Sequence, residues 1–296
     1  VCGADVLLKL ESLQPTFSYK IRGATNAVMR LREQWAATAP QLVTASAGNH
    51  GRAMAEAAKQ AGMPLRVYVP EHAPKTKLEA IRAAGADLRP CPDYDEAERR
   101  AKEDAKTSGA TYISPYSHPD VIAGAGTVAL EILEEQPDAT IVVPIGGGGL
   151  ISGMAIAAAA GRMPPRVSGV EVAASSPFTR GRAAGRIVTI DVGPTLADGL
   201  AGNLDPDTVT FDIVQTLVPE IAVVAEENLK AAMAGLLMQE KLVVEGAGAT
   251  GVAALLARKI AADGQPIAVV VSGANVDSSV IGSLIGDTEN VRRATC

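Results

Sequence analysis

The sequence predicts an α/β protein in which parallel strands are covered by helices. Three observations predict it. Apolar, β-branched runs alternate with segments of helical spacing along most of the chain. The connections between them are short, as in parallel sheets built from strand–helix–strand units. Small, polar, glycine-rich loops follow several strands, where open parallel sheets hold their ligands.

The elements are justified in order. Val6, Leu7, Leu8 and Leu10 make a first apolar strand, followed by helical spacing over 26–34. A β-rich run at 42–45 precedes an alanine-rich helix at 52–61, and 65–69 reads as a strand before a helix at 75–84. A short strand begins at Leu88, then come a charged helix over 95–107, a strand at 111–114 and a helix at 127–135. From Thr140 the pattern restarts: strand 140–144, a glycine loop, a buried helix over 151–160 and a strand at 166–172. Residues 173–206, rich in glycine and proline, read as loop with short elements. Helices are expected at 228–240 and 250–262, and a strand at 266–271. Divisions near Ala39 and Pro119 are expected, giving a large domain of residues 1–39 and 119–296 and a small inserted α/β domain of residues 40–118.

Bulk properties exclude several classes. The 296 residues are 47% hydrophobic and 20% charged, enough for a real core. Aromatics are only 3%, so Ala, Val, Leu and Ile must fill it. A formal net charge of −6 argues against nucleic acid as a partner. Cys2, Cys91 and Cys296 show no paired spacing, which disfavours a disulfide framework or zinc site and fits a reducing cytoplasm. No apolar run spans a bilayer without interruption, so no membrane partner is expected. Val1-Cys2-Gly3 is not a natural start.

Four loops carry candidate chemistry. Lys20 stands in Ser18-Tyr19-Lys20-Ile21-Arg22-Gly23, between the first strand and the first helix. The positive end of a helix favours the neutral amine, which can form a Schiff base with an aldehyde, so Lys20 is a candidate anchor for pyridoxal phosphate. A solvated lysine is the competing reading of that segment. In Ser46-Ala47-Gly48-Asn49-His50-Gly51, Asn49 suits the phenolic oxygen of a pyridoxal ring, and Ser46 with nearby amides suits a substrate carboxylate. Ser46 reads equally as a helix cap. His50 has no paired carboxylate in view and reads as structural before catalytic. Gly146, Gly147, Gly148 and Gly149, followed by Leu150, form the strongest phosphate signal, because converging backbone N–H groups and a helix start favour an anion. A dinucleotide fold or nucleotide-binding protein competes here. Ser152 stands where its third glycine belongs, although Glu171 ends the next strand where a ribose-binding acid would sit. Ser272, after the last strand, suits a pyridine nitrogen, and a hydroxyl there favours β-elimination over transamination. Glu245 either faces a cofactor ring or pairs with a backbone donor.

Together these segments, with Val243-Val244-Glu245-Gly246-Ala247-Gly248-Ala249, resemble the fold-type II pyridoxal phosphate enzymes, closest to the serine/threonine dehydratases (ammonia-lyases) and serine racemases. The likeness runs in order over nearly the whole chain. It implies two open, twisted, mostly parallel sheets of the tryptophan synthase β kind. It implies Lys20 as the catalytic Schiff-base lysine. Tyr19, Asn49, Gly146 to Gly149, Leu150, Glu245 and Ser272 are implied around the cofactor, and Ser46, Ala47, Gly48, Asn49 and His50 around a small amino-acid substrate. The implied reaction removes water from a β-hydroxy amino acid such as L-threonine or L-serine, giving a 2-keto acid and ammonia. Hydroxyaspartate and bulkier β-hydroxy substrates, and serine racemisation, are the alternatives. A homodimer in the cytoplasm is expected.

Three departures shape that expectation. Related racemases carry a second serine where this chain has Ala47, so racemisation is expected to be weak. Relatives that bind a divalent cation use a glutamate and an acid six residues on; Glu171 matches the first, Pro177 replaces the second, and no metal is expected. The chain ends soon after Asp277, so feedback through a C-terminal regulatory domain is not expected.

Overall fold

The structure, a computed structural model, describes residues 3–35, 39–161, 165–261 and 264–286. Cys2, Cys296 and the expected helix end at Ala262 lie outside them. The chain divides into two compact units, Val1–Ser18 with Gly126–Cys296 and Tyr19–Ala125.

The first unit is built on five parallel strands: β1 (Val6–Leu10), β6 (Thr140–Pro144), β7 (Val167–Val172), β8 (Glu220–Val224) and β9 (Ile267–Val271), in the order β1-β9-β6-β7-β8. Every residue of β6, β7 and β9 is buried, as in a sheet covered on both faces; β6 and β9 are rich in β-branched residues, while β7 also buries Ser168, Gly169 and Glu171. β1 is half-exposed, as an edge strand can be. From β6 the chain goes to β7 on one side, while β9 lies on the other. The strand order therefore reverses between β6 and β9, and the carboxyl ends of these two strands flank the crevice where such sheets bind ligands.

The helices α6 (Gly149–Ala159) and α10 (Gly246–Leu256) are apolar almost all round, which fits helices buried against a sheet. α10 stops short of the expected 262. Arg258 adopts a left-handed conformation (φ 52°), and Lys259 N–H turns back to the Ala254 carbonyl, closing the helix without glycine. Three further elements stand where the sequence offered no periodic signal: α7 (Pro177–Ala184), α8 (Thr210–Leu217) and β8. α7 and α8 have eight residues each, too short for a clear helical period, and β8 runs into α9 (Glu226–Met238) with only Ala225 between them. α9 (Glu226–Met238) matches the expected helix, starting two residues earlier behind two acidic residues.

The second unit carries four parallel strands, β2 (Leu42–Ala45), β3 (Leu65–Pro70), β4 (Asp87–Cys91) and β5 (Thr111–Tyr112), in the order β4-β3-β2-β5. Here the order reverses between β2 and β5. Helix α1 (Lys20–Gln34) clusters with this unit, whereas the sequence placed its residues in the larger domain. The reason is packing: Ala24, Ala27 and Val28 share one apolar cluster with Ala53, Met54 and Ala57 of α2 (Asn49–Ala61). The charged helix is α4 (Tyr94–Ser108); it buries Ala97 and Ala101 on one side, and the Asp93 carboxylate caps it by accepting Glu96 N–H at 2.8 Å. Helices α3 (Lys75–Ala83), α5 (Pro119–Glu135) and α11 (Ser278–Gly286), with single 3₁₀ turns at Glu11–Leu13 and Asp198–Leu200, complete the described elements.

Candidate active site

In the second unit, the loops after β2 and β5 gather one group of residues. Lys20 is the first residue of α1, six positions before the helical spacing visible in the sequence. Its Nζ donates to the Pro115 carbonyl at 2.7 Å, in the segment after β5, and lies 5.2 Å from the Tyr19 ring centroid. The amine is thus held half-buried at a helix start, beside an aromatic face, and is not splayed into water.

The loop after β2 is held from behind by His50, which is 2% exposed. Thr44 Oγ1 donates its one proton to the Ile113 carbonyl at 2.8 Å. It must therefore accept from His50 Nε2, 3.1 Å away, which assigns the proton to Nε2. Nδ1 is buried and has no protein partner. Burial first, then the positive Lys20, lowers the His50 pKa from 6.5 to about 3, so the ring is neutral. His50 thus ties β2 to the segment that leads from Ile113 to Pro115.

Ser46 does not cap α2. Its Oγ accepts Gly48 N–H at 3.2 Å, an ST turn, while Gly48 occupies the N-cap position and no side chain caps the first turn. Asn49 is the first residue of that helix, and Ala47 packs against the apolar cluster of its own unit.

In the first unit, the loops after β6 and β9 carry the other candidates. Gly146, Gly147 and Gly148 lead into α6, whose first residues are Gly149 and Leu150, and no side chain caps it. Gly148 has φ 84°, the left-handed region, and a Cβ there would come within 2.6 Å of Phe178 Cζ and 2.9 Å of Thr210 Cβ. Only glycine satisfies both the torsion and the space. Ser272, 3% exposed, directly follows β9. Glu245 turns to the backbone of that same loop: Oε2 accepts Asn275 N–H at 3.0 Å, and Glu245 N–H donates to the Gly273 carbonyl at 3.1 Å. The loop is also tied to the segment before Lys20. Ala274 N–H meets the Phe17 carbonyl at 2.9 Å, and Asn275 Nδ2 meets the Thr16 carbonyl at 3.0 Å.

Glu171 has a different task from a cation ligand. Its carboxylate accepts Phe178 N–H (2.8 Å), Thr179 N–H (2.9 Å) and the Thr179 hydroxyl (2.6 Å), so it caps the start of α7. Pro177, which stands in place of the second acid of a cation site, opens that helix. Burial raises the Glu171 pKa against these donors. Among the described residues no group of three or more His, Cys, Asp or Glu could hold a metal ion.

The sequence did not single out Pro115, Thr44, Thr208 or Thr210. The first acts through its backbone carbonyl, which no motif reveals. Thr44 and Thr210 act through carbonyls far away in sequence, those of Ile113 and Gly147, and Thr208 acts through Thr210.

Two parallel sheets, each with polar loops at its point of strand reversal, and a lysine at a helix start define the fold-type II class of cofactor enzymes. The chain belongs to the pyridoxal-phosphate dependent enzyme family, whose model matches residues 1–273. It is 40% identical over 287 residues to an L-threonine ammonia-lyase from Thermotoga maritima, covering 96% of this chain and 71% of that protein. Its fold matches that of maize serine racemase with a TM-score of 0.87 and 34% identity, covering 98% of this chain and 89% of that one. It matches the processed form of threonine deaminase isoform 2 from Solanum lycopersicum with a TM-score of 0.87 and 31% identity, covering 96% and 83%.

The residues present fit pyridoxal phosphate. Lys20 offers a primary amine for an aldehyde. The uncapped start of α6 offers backbone N–H groups for a phosphate, in a loop where a side chain at Gly148 would not fit. Ser272 offers a buried hydroxyl for a ring nitrogen.

Proposed function

We propose that this chain is an ammonia-lyase that eliminates water from L-threonine or L-serine, releasing a 2-keto acid and ammonia. The observation that carries the reading is the placement of Lys20. In a chain 40% identical to an L-threonine ammonia-lyase, its amine is held on the Pro115 carbonyl at the head of α1.

When bound, pyridoxal phosphate supplies an electron sink for the charge left on the substrate α-carbon. Lys20 Nζ is the atom that would hold the cofactor and, as a free amine, would take the substrate α-proton as general base. Tyr19 flanks that amine. The backbone of Gly146 to Leu150 would receive the phosphate, Ser272 Oγ would hydrogen-bond the ring nitrogen, and Asn49 would meet the phenolic oxygen. Ser46, Ala47, Gly48 and His50 form the loop that receives the substrate carboxylate. His50 contributes its backbone there, because its ring is turned inward to Thr44. Glu245 supports the reading through the Ser272 loop, whose backbone it holds.

Serine racemisation is the second reading, favoured by the likeness to maize serine racemase. Ala47 weighs against it, since a methyl group has no proton to return to the α-carbon. The experiment is to incubate the pure enzyme with L-threonine and L-serine and to follow keto acid, ammonia and D-serine. Keto acid without comparable D-serine is expected; D-serine at the rate of pyruvate contradicts the reading that elimination dominates over racemisation. A cytoplasmic homodimer is part of the same proposal, and sedimentation of the holoenzyme at twice the chain mass checks the dimer.

A further inference from the structure

The glycine loop after β6 is held by a residue outside every motif in the sequence. Thr210, the first residue of α8, is fully buried. Its Oγ1 donates to the Gly147 carbonyl at 2.8 Å. Thr208 Oγ1 lies 2.8 Å from Thr210 Oγ1. A hydroxyl has a single proton. Thr210 commits its own to Gly147, so Thr208 is the donor within the pair, and the relay runs from Thr208 through Thr210 to the loop.

The consequence follows from peptide geometry. The group joining Gly147 and Gly148 is planar and trans, so its carbonyl and its N–H point in opposite directions. With the carbonyl drawn onto Thr210, the Gly148 N–H is turned away from α8. Glycines on both sides leave this peptide unusually free to rotate. A rotated peptide would present a carbonyl oxygen to an anion in place of a donor. A second constraint acts on the same residue. Phe178 and Thr210 together fill the space beside Gly148, Phe178 stacks on Phe211 at 6.1 Å between centroids, and Glu171 fixes the turn of α7 that carries Phe178.

We infer that Thr210 is a positioning residue that locks the Gly147–Gly148 peptide with its N–H presented to the phosphate ester of the cofactor, an inference that rests on the reading of this loop as the phosphate site. Valine at 210 keeps the bulk beside Gly148 and removes the proton that holds the peptide. Serine keeps the proton.

The test is equilibrium dialysis of cofactor-stripped wild type, Thr210→Val and Thr210→Ser against pyridoxal phosphate and against pyridoxal, which carries the aldehyde and ring but no phosphate. The wild type is expected to prefer pyridoxal phosphate strongly. Thr210→Val is expected to weaken that ligand by roughly tenfold while leaving pyridoxal within about twofold of wild type, the size of one lost hydrogen bond felt at the phosphate alone. Thr210→Ser is expected to restore the preference. A Thr210→Val protein that keeps the wild-type preference overturns the inference, and so does one that loses both ligands alike, because that marks a general structural role. A wild type with no preference for the phosphorylated ligand overturns the reading of the glycine loop itself, a result distinguishable from the other two.

Discussion

At the scale of single residues, His50 shows how a conspicuous side chain can be committed to structure. It stands in the loop assigned to substrate, yet its ring is buried and bonded to Thr44, and its pKa lies near 3 against 6.5 for a free histidine. The unfolded chain therefore binds a proton on this group below about pH 6.5 that the native state refuses until about pH 3. Its contribution is to destabilise the fold progressively as pH falls through that window. The melting temperature of the wild type should fall as pH is lowered through it, and His50→Gln should show a shallower fall; equal slopes would contradict the assignment. Ala47 carries a second prediction. Ala47→Ser supplies a hydroxyl where the racemase-like acid would stand, and D-serine formation from L-serine, read by chiral chromatography, should rise on the order of tenfold or more, within the range that a placed general acid contributes. An unchanged ratio of D-serine to pyruvate would remove Ala47 from the explanation. Lys20, Ser272 and the four glycines stand out in the sequence by residue type and place, and the structure sets them at helix starts and strand ends. The environments of Glu245 and Glu171 were not legible there, because both depend on which distant backbone N–H groups the fold turns toward them.

At the scale of elements, α7 illustrates a helix that the sequence conceals. It has eight residues, opens on Pro177, and is capped by a carboxylate from β7 instead of by a neighbour in sequence. Removing that cap has a definite cost. Glu171→Ala leaves the buried Phe178 N–H without an acceptor, and urea unfolding should report a loss of about 1–3 kcal/mol. A loss within error of zero would show that α7 is held by Phe178 packing alone. Gly148→Ala tests the loop at the head of α6. It forces a side chain into the left-handed region and within 2.6 Å of Phe178, and should cost about 1–3 kcal/mol on the same scale. The central strands β6 and β9 were legible because β-branched runs bounded by glycine and proline leave few alternatives. α8 was missed because eight residues are too few to display a helical period, and β8 because it runs into α9 with only Ala225 between them and no glycine or proline to mark its end. The end of α10 was misplaced because an arginine, not a glycine, takes the left-handed turn.

At the scale of the whole molecule, strand order explains why the candidate residues are where they are. Each unit is a parallel sheet whose order reverses once, between β6 and β9 in one and between β2 and β5 in the other. The loops at those reversals contain Gly146 to Gly149, Ser272, Ser46 to His50, and the Pro115 carbonyl that holds Lys20. The alternation of strands and helices made the α/β class readable in advance. The place where the chain leaves one unit for the other was less readable, because the assignment of α1 depends on small apolar residues packing on α2, a contact that no local pattern announces. The most direct test of the account is peptide mass mapping of the holoenzyme after borohydride reduction. The account predicts one reduced pyridoxal phosphate adduct, on the peptide containing Lys20. An adduct on any other lysine, or none on fully loaded enzyme, would contradict it.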